Sequence, residues 1–198
     1  MNELEQLLAE ADKHAAEVGR VLNELTIDQL WWRPRPNKWC IGEHIDHLAR
    51  TTERYGRAIR VGLHNARKHG QLGGGPFRRS LFGSWFVRSL EPPVRIPIKT
   101  FPILLPERHA SSDDLKADFS ASVNAFTLAV REAEGIDVGK ATMRSPFVKV
   151  LRLTIGEALE AVLAHHRRHL WHIRRICNDR RFKSLASARA PVPPTAEP

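Results

Sequence analysis

A chain of 198 residues, 42% of them hydrophobic, is long enough for one domain with a real core and too apolar to be disordered. It holds no apolar run near the ~20 residues of a membrane span, and its start, Met1-Asn2-Glu3-Leu4-Glu5, lacks a basic-then-apolar signal pattern, so a cytoplasmic protein that spans no membrane is expected. The net charge of +9 admits nucleic acid or an acidic small molecule as a partner, but a solvated basic surface is the simpler reading. Part of the excess sits at Arg174, Arg175, Arg180, Arg181 and Lys183, where cations complement the end of a helix. Cys40 and Cys177 stand in no CxxC pair, so reduced thiols are expected.

In chain order, Leu4, Leu7, Leu8, Ala11, Ala15, Val18, Leu22 and Leu25 recur at three- and four-residue steps and predict an amphipathic helix over 2–24. Thr26-Ile27-Asp28-Gln29 has the form of a capping box and opens a short turn or helix, which Pro34 and Pro36 end. A second long helix begins near Cys40 and runs to about Lys68, with Ile41, His44, Ile45, Leu48, Thr52, Tyr55 and Ile59 on one face. Cys caps poorly, so the start of this helix is its weak point. Gly70 to Pro76 is a flexible break, and residues 77–91, with Phe77, Leu81, Phe82, Trp85, Phe86 and Leu90, predict a short helix. Five prolines between Pro92 and Pro106 exclude regular helix there and predict an extended segment laid across the bundle.

Ser111-Ser112-Asp113-Asp114 opens a helix over about 112–134, ended by Gly135. Residues 136–153 read as loop. Thr154-Ile155-Gly156-Glu157 is a capping box and opens a last long helix to Cys177. One domain over 1–183 follows, with a disordered Pro-rich tail at 184–198. Four long helices joined by irregular connections imply an all-α four-helix bundle.

Four of the ten histidines, His165, His166, His169 and His172, crowd into the last helix. Imidazole is the commonest ligand for transition metals, and an i, i+4 pair can present two nitrogens to one ion. Periodicity alone leaves the pair open: the apolar stripe Ile155, Leu159, Val162, Leu170, Ile173 centres near His166, so His166 with His169 is as good a choice as His165 with His169. The second long helix offers Glu43, His44, Asp46 and His47 as further ligands. Glu43 precedes His44, which excludes the HExxH helix of a metalloprotease. His14, His64, His69 and His109 have no partner motif and are expected at the surface, as are Arg167 and Arg168. Trp31, Trp32 and Trp39 are expected as interhelix anchors, and Cys40 as a small buried hydrophobe.

Trp31-Trp32-Arg33-Pro34 through Lys38-Trp39-Cys40-Ile41-Gly42-Glu43-His44-Ile45-Asp46-His47-Leu48-Ala49 resembles the "RP…W-S/T-I/V…H-L/V" segment of the DinB/YfiT-like superfamily. His165-x-x-x-His169-x-x-His172-Ile173 is similar to the second metal segment of that family. The resemblance covers about residues 2–180 and departs at Cys40, where Ser or Thr is usual. It implies an up-and-down four-helix bundle, often a homodimer. It implies a divalent metal, usually nickel or zinc, on three histidines, here His47, His165 and His169, and so decides for His165. Around these, His44, Asp46, His166 and His172 are expected as supporting or pocket-lining groups.

Members of such a family include thiol S-transferases that use bacillithiol, mycothiol or glutathione. The resemblance therefore implies a metal-dependent thiol S-transferase or hydrolase acting on a small molecule, with a low-molecular-weight thiol as co-substrate. The other class is a non-catalytic metal- or ligand-binding stress-response protein. Nucleic acid is not expected, because no helix-turn-helix, zinc-finger or RRM signature is present.

Overall fold

The structure is a computed structural model that describes residues 2–74, 77, 79–93, 100–109, 111–148 and 150–188. Among these, the helices are α1 (Glu3–Glu24), α2 (Ile27–Leu30), α3 (Ile41–Lys68), α4 (Leu81–Leu90), α5 (Ser112–Glu132), α6 (Ile155–Cys177) and α7 (Arg180–Ala188). None is long and apolar enough to cross a membrane. Asn2, Thr26 and Thr154 each head a complete capping box, which satisfies backbone N–H groups that the first helical turn leaves bare. At Cys40 the side chain makes no capping bond to the helix. The missing half of that cap is offset by Glu43, whose carboxylate accepts from the Cys40 N–H at 2.8 Å and from Arg33 at 2.6 Å.

The four long helices pack α1 on α5, α5 on α3, α3 on α6 and α6 on α1. Their apolar faces build two core clusters. Leu7, Ile59, Phe126 and Leu159 belong to one, and Leu22, Ile45, Leu115 and Ile173 to the other. Following each helix from cluster to cluster gives its direction: α1 and α6 run one way, α3 and α5 the other. The all-α class is as expected, but the directions are up, down, down, up rather than strictly alternating. The parallel pair α3 and α5 needs a connection that travels the length of the bundle, and residues 69–111 supply it. That crossover carries α4 and a 3-10 turn at Pro102–Leu104.

Between the two apolar clusters lies a polar layer with one residue from each long helix: His14, Thr52, Ser122 and His166, all buried. His14 was expected at the surface. It is instead enclosed, with its ring 5.6 Å from that of His166, and the apolar periodicity of α1 passes through it without a break.

Other differences lie in the connections. Residues 136–153, expected as loop, include two antiparallel strands, β1 (Thr142–Arg144) and β2 (Arg152–Thr154), with Met143 opposite Leu153. Three-residue strands are too short for their alternation to be read from sequence. Helix α7 runs past Ser184, where the tail was expected to start, because Phe182 packs edge-on against Trp32 and Arg181 donates to the Pro34 carbonyl. The rest of that tail, 189–198, and the central part of the Pro-rich stretch, 94–99, lie outside the described residues.

Helix α4 is pinned to the start of α6 by one carboxylate. The buried Glu157 accepts from the Ser80 N–H at 2.7 Å and the Ser80 hydroxyl at 2.8 Å. Gly83 permits this approach, since a Cβ there would stand 1.9 Å from Glu157 Oε1. Gly83→Ala should therefore expel the carboxylate and leave buried donors bare, at a cost of about 1–3 kcal/mol. A lowered melting temperature with unchanged helicity is the expected result, and a melt equal to wild type would show that α4 is held by other contacts.

Candidate metal centre

His47 on α3 and His165 and His169 on α6 present one ring nitrogen each to a common point, with all three atoms within 4.8 Å of one another. The Nε2 atoms of His47 and His165 are 3.3 Å apart, and those of His165 and His169 are 3.0 Å apart. Two nitrogens at ~2.1 Å from one ion, in tetrahedral or octahedral geometry, stand ~3.0–3.4 Å from each other. The donor set thus fits a divalent transition metal.

The outer nitrogens of two of these rings are also engaged. His47 Nδ1 donates to the Leu104 carbonyl at 2.9 Å, which leaves Nε2 as the bare acceptor. His169 Nδ1 lies 2.8 Å from His44 Nδ1, and with His169 donating, His44 is the accepting partner. Such outer contacts fix tautomer and ring orientation. The Thr51 hydroxyl donates to the His47 backbone carbonyl at 2.6 Å and tightens that turn of α3. Leu104 comes from the crossover, in the 3-10 turn that starts at Pro102, so a segment far from α3 in sequence completes the support of His47.

The three histidines open onto a cavity of about 810 Å3, which is small-molecule size. Trp39, expected as an interhelix anchor, roofs the site: its ring centroid is 4.9 Å from His47, 5.4 Å from His44 and 5.9 Å from His169. His172 stacks on His44, with centroids 5.1 Å apart and planes 6° apart. The geometry therefore brings together His44, His47, His165, His169 and His172 from the expected set.

Two others stand outside the cavity lining. Asp46 is buried on a different face of α3, where it accepts from the His109 ring at 2.7 Å and the Glu107 N–H at 2.9 Å. It ties down the loop that follows Leu104, and this contact also removes His109 from the surface role expected of it. His166 is 0% exposed and points into the polar layer, where its Nε2 meets the Thr52 hydroxyl at 2.7 Å. An i, i+1 step turns a side chain by ~100°, so only one of His165 and His166 can face the cavity. Arg168 also departs from expectation: it is 7% exposed, lines the cavity and donates to the Ser89 carbonyl at 3.2 Å. Trp39 and Leu104 were missed because their contacts are made by rings and carbonyls that no spacing rule identifies.

Burial is the largest influence on every imidazole here, and it favours the neutral form that binds metal. Neighbouring imidazoles push His165 and His169 further down. Burial, then Arg168, Arg175 and Lys38, hold His172 down to about 4. Burial, with help from other histidines, holds His44 and His166 at about 3. Cys40 is driven the other way: burial pushes its thiol up to about 12, so it is no nucleophile at neutral pH.

These shifts set an acid limit. In the unfolded chain each imidazole returns to about 6.5. Below that value the unfolded chain binds protons that the folded chain refuses, so stability is full above pH 6.5 and falls as pH drops toward 3. His44 and His166 should each contribute up to about 1.4 kcal/mol per pH unit across that window. Melts of metal-free protein should be flat from pH 7 to 8 and drop steeply below 6, with a shallower drop in His166→Gln. A melt independent of pH down to 4.5 would contradict the buried, neutral state.

Comparison with curated proteins and with solved structures finds no match. A family model, described as DinB superfamily, matches residues 4–173. The match takes in both histidine-bearing helices and nearly the whole bundle, and the chain belongs to the DinB superfamily.

Proposed function

We propose that this protein is a metal-dependent enzyme acting on a small molecule, with thiol S-transfer as the first assignment and hydrolysis as the second. One observation carries the reading: three imidazole nitrogens converge on one point in the wall of a cavity of about 810 Å3. His47, His165 and His169 would hold a nickel or zinc ion. A divalent ion there supplies Lewis acidity that draws a thiol or a water toward deprotonation near neutral pH. The chain's own residues do the rest. Leu104 and His44 keep the ligand rings aimed, Trp39 covers them, and Tyr55, Phe101 and Phe147 offer an apolar wall against which an electrophile can be placed.

Metal analysis should find about one equivalent of ion per chain in wild type and in His64→Ala, and a small fraction of that in His47→Ala/His169→Ala. His44→Ala should weaken metal affinity about 10–100-fold, the usual cost of losing an outer contact. Thiol transfer to a haloarene, tested with bacillithiol, mycothiol and glutathione, should need both metal and thiol. It should vanish in a folded His165→Ala variant and persist in Cys40→Ser. Transfer that survives metal removal would refute this mechanism. Intact metal binding without transfer to any electrophile would move the assignment to hydrolysis or to a non-catalytic ligand-binding role.

The proposal includes a homodimer. Leu81 is 94% exposed on α4, and Phe82 and Trp85 lie beside it, an apolar surface of the kind that subunit contacts cover. Sedimentation should give twice the 22.5 kDa chain mass, and a strictly monomeric boundary would remove this part of the reading.

A further inference from the structure

The cavity is not uniform along its length. It follows α6 from Val162, past His165 and His169, to Arg175, a path of ~20 Å at the rise of an α-helix. On the Val162 side the wall is aromatic, with Tyr55, Phe86, Phe101 and Phe147. On the Arg175 side it is cationic. Arg168, His172 and Arg175 follow at i, i+4 and i+7 and so share one face of α6, and Lys38 faces them from the segment before α3. The Arg175 guanidinium sits 4.6 Å over the Trp171 ring, which restricts where it can point.

Among the described lining residues one carboxylate, Asp179, could answer this charge, and both its oxygens are taken by Arg181 at 2.8–3.2 Å. A cation as enclosed as Arg168 loses most of its hydration, and its charge acts on the cavity with little screening.

We propose that the arm of the cavity around His172 is an anion subsite, in which Lys38, Arg168 and Arg175 take a carboxylate of a small amphipathic ligand whose apolar part lies along the aromatic arm. The ligand then passes the three histidines at its middle. This rests on the cavity being a small-molecule site, as proposed above, but not on metal being bound.

The test is calorimetric titration of the full chain, with metal and after chelation, using decanoate and decylammonium as probes of equal length and opposite charge. Decanoate should bind about tenfold or more tightly than decylammonium in both preparations. Lys38→Ala/Arg175→Ala removes two exposed side chains and should cost decanoate about tenfold, leaving decylammonium no weaker. Lys13→Ala/Arg20→Ala removes the same charge from α1, outside the cavity, and should leave both probes unchanged. Arg168→Met should lower decanoate affinity as well, and if that variant does not fold the exposed pair still decides. The subsite is overturned by any of four results: no decanoate binding, an affinity untouched by Lys38→Ala/Arg175→Ala, an equal loss in the α1 control, or a preference seen only with metal. A protein that binds no metal yet keeps the decanoate preference would sink the metal reading and leave the subsite standing.

Discussion

The structure depends on keeping a cluster of imidazoles neutral inside a helical bundle. Charged imidazoles packed this closely would repel one another across a low-dielectric space, and burial removes the water that would soften that repulsion. Neutrality is held by enclosure, and orientation by single outer contacts: Leu104 for His47, His44 for His169, Thr52 for His166. A neutral imidazole has one donor and one acceptor, so fixing one nitrogen determines the role of the other. That is how a bundle made of common apolar residues can aim the lone pairs of His47 and His169 at one point, with His165 beside them.

The cost falls on the core, which is split in two. Each long helix gives up one apolar position at mid-height, to His14, Thr52, Ser122 or His166. The layer is incompletely satisfied, since the buried Nδ1 atoms of His14 and His166 have no hydrogen-bond partner among the described residues. Below and above it, residues such as Leu159 and Ile173 pack conventionally. The polar layer is specific as well as costly: a bundle slid by one turn would set these groups against Leu and Phe, so it helps to fix the register in which His47 meets α6. The crossover matters for the same reason. It places the Leu104 carbonyl beside His47 and lays α4 along the other side of the cavity through Phe86 and Leu90.

The four long helices and the i, i+4 histidines on α6 were legible because they are local and periodic. Thr154 with Glu157 announces α6, and the apolar steps of α1 and α3 give their faces. Which of His165 and His166 faces the cavity was not legible from periodicity, because both border the apolar stripe. Resemblance to the family made that choice, and the geometry puts His165 beside His47 and His169. What sequence missed is non-local. His14, His109 and Arg168 looked like surface groups because their partners, His166, Asp46 and the Ser89 carbonyl, lie more than sixty positions away along the chain or on another helix. The hairpin of β1 and β2 was too short to leave a pattern, and the directions of α3 and α5 follow from a crossover whose path composition does not encode.

The proposed site holds one ion on His47, His165 and His169 together. The most direct measurement is an anomalous difference map from crystals grown with nickel or zinc, recorded on both sides of the metal edge. A single strong peak at ~2.1 Å from the Nε2 atoms of all three residues is expected, with the His44 contact to His169 intact. A peak between His44 and His172, or full metal occupancy with one of the three rings turned away, would contradict it.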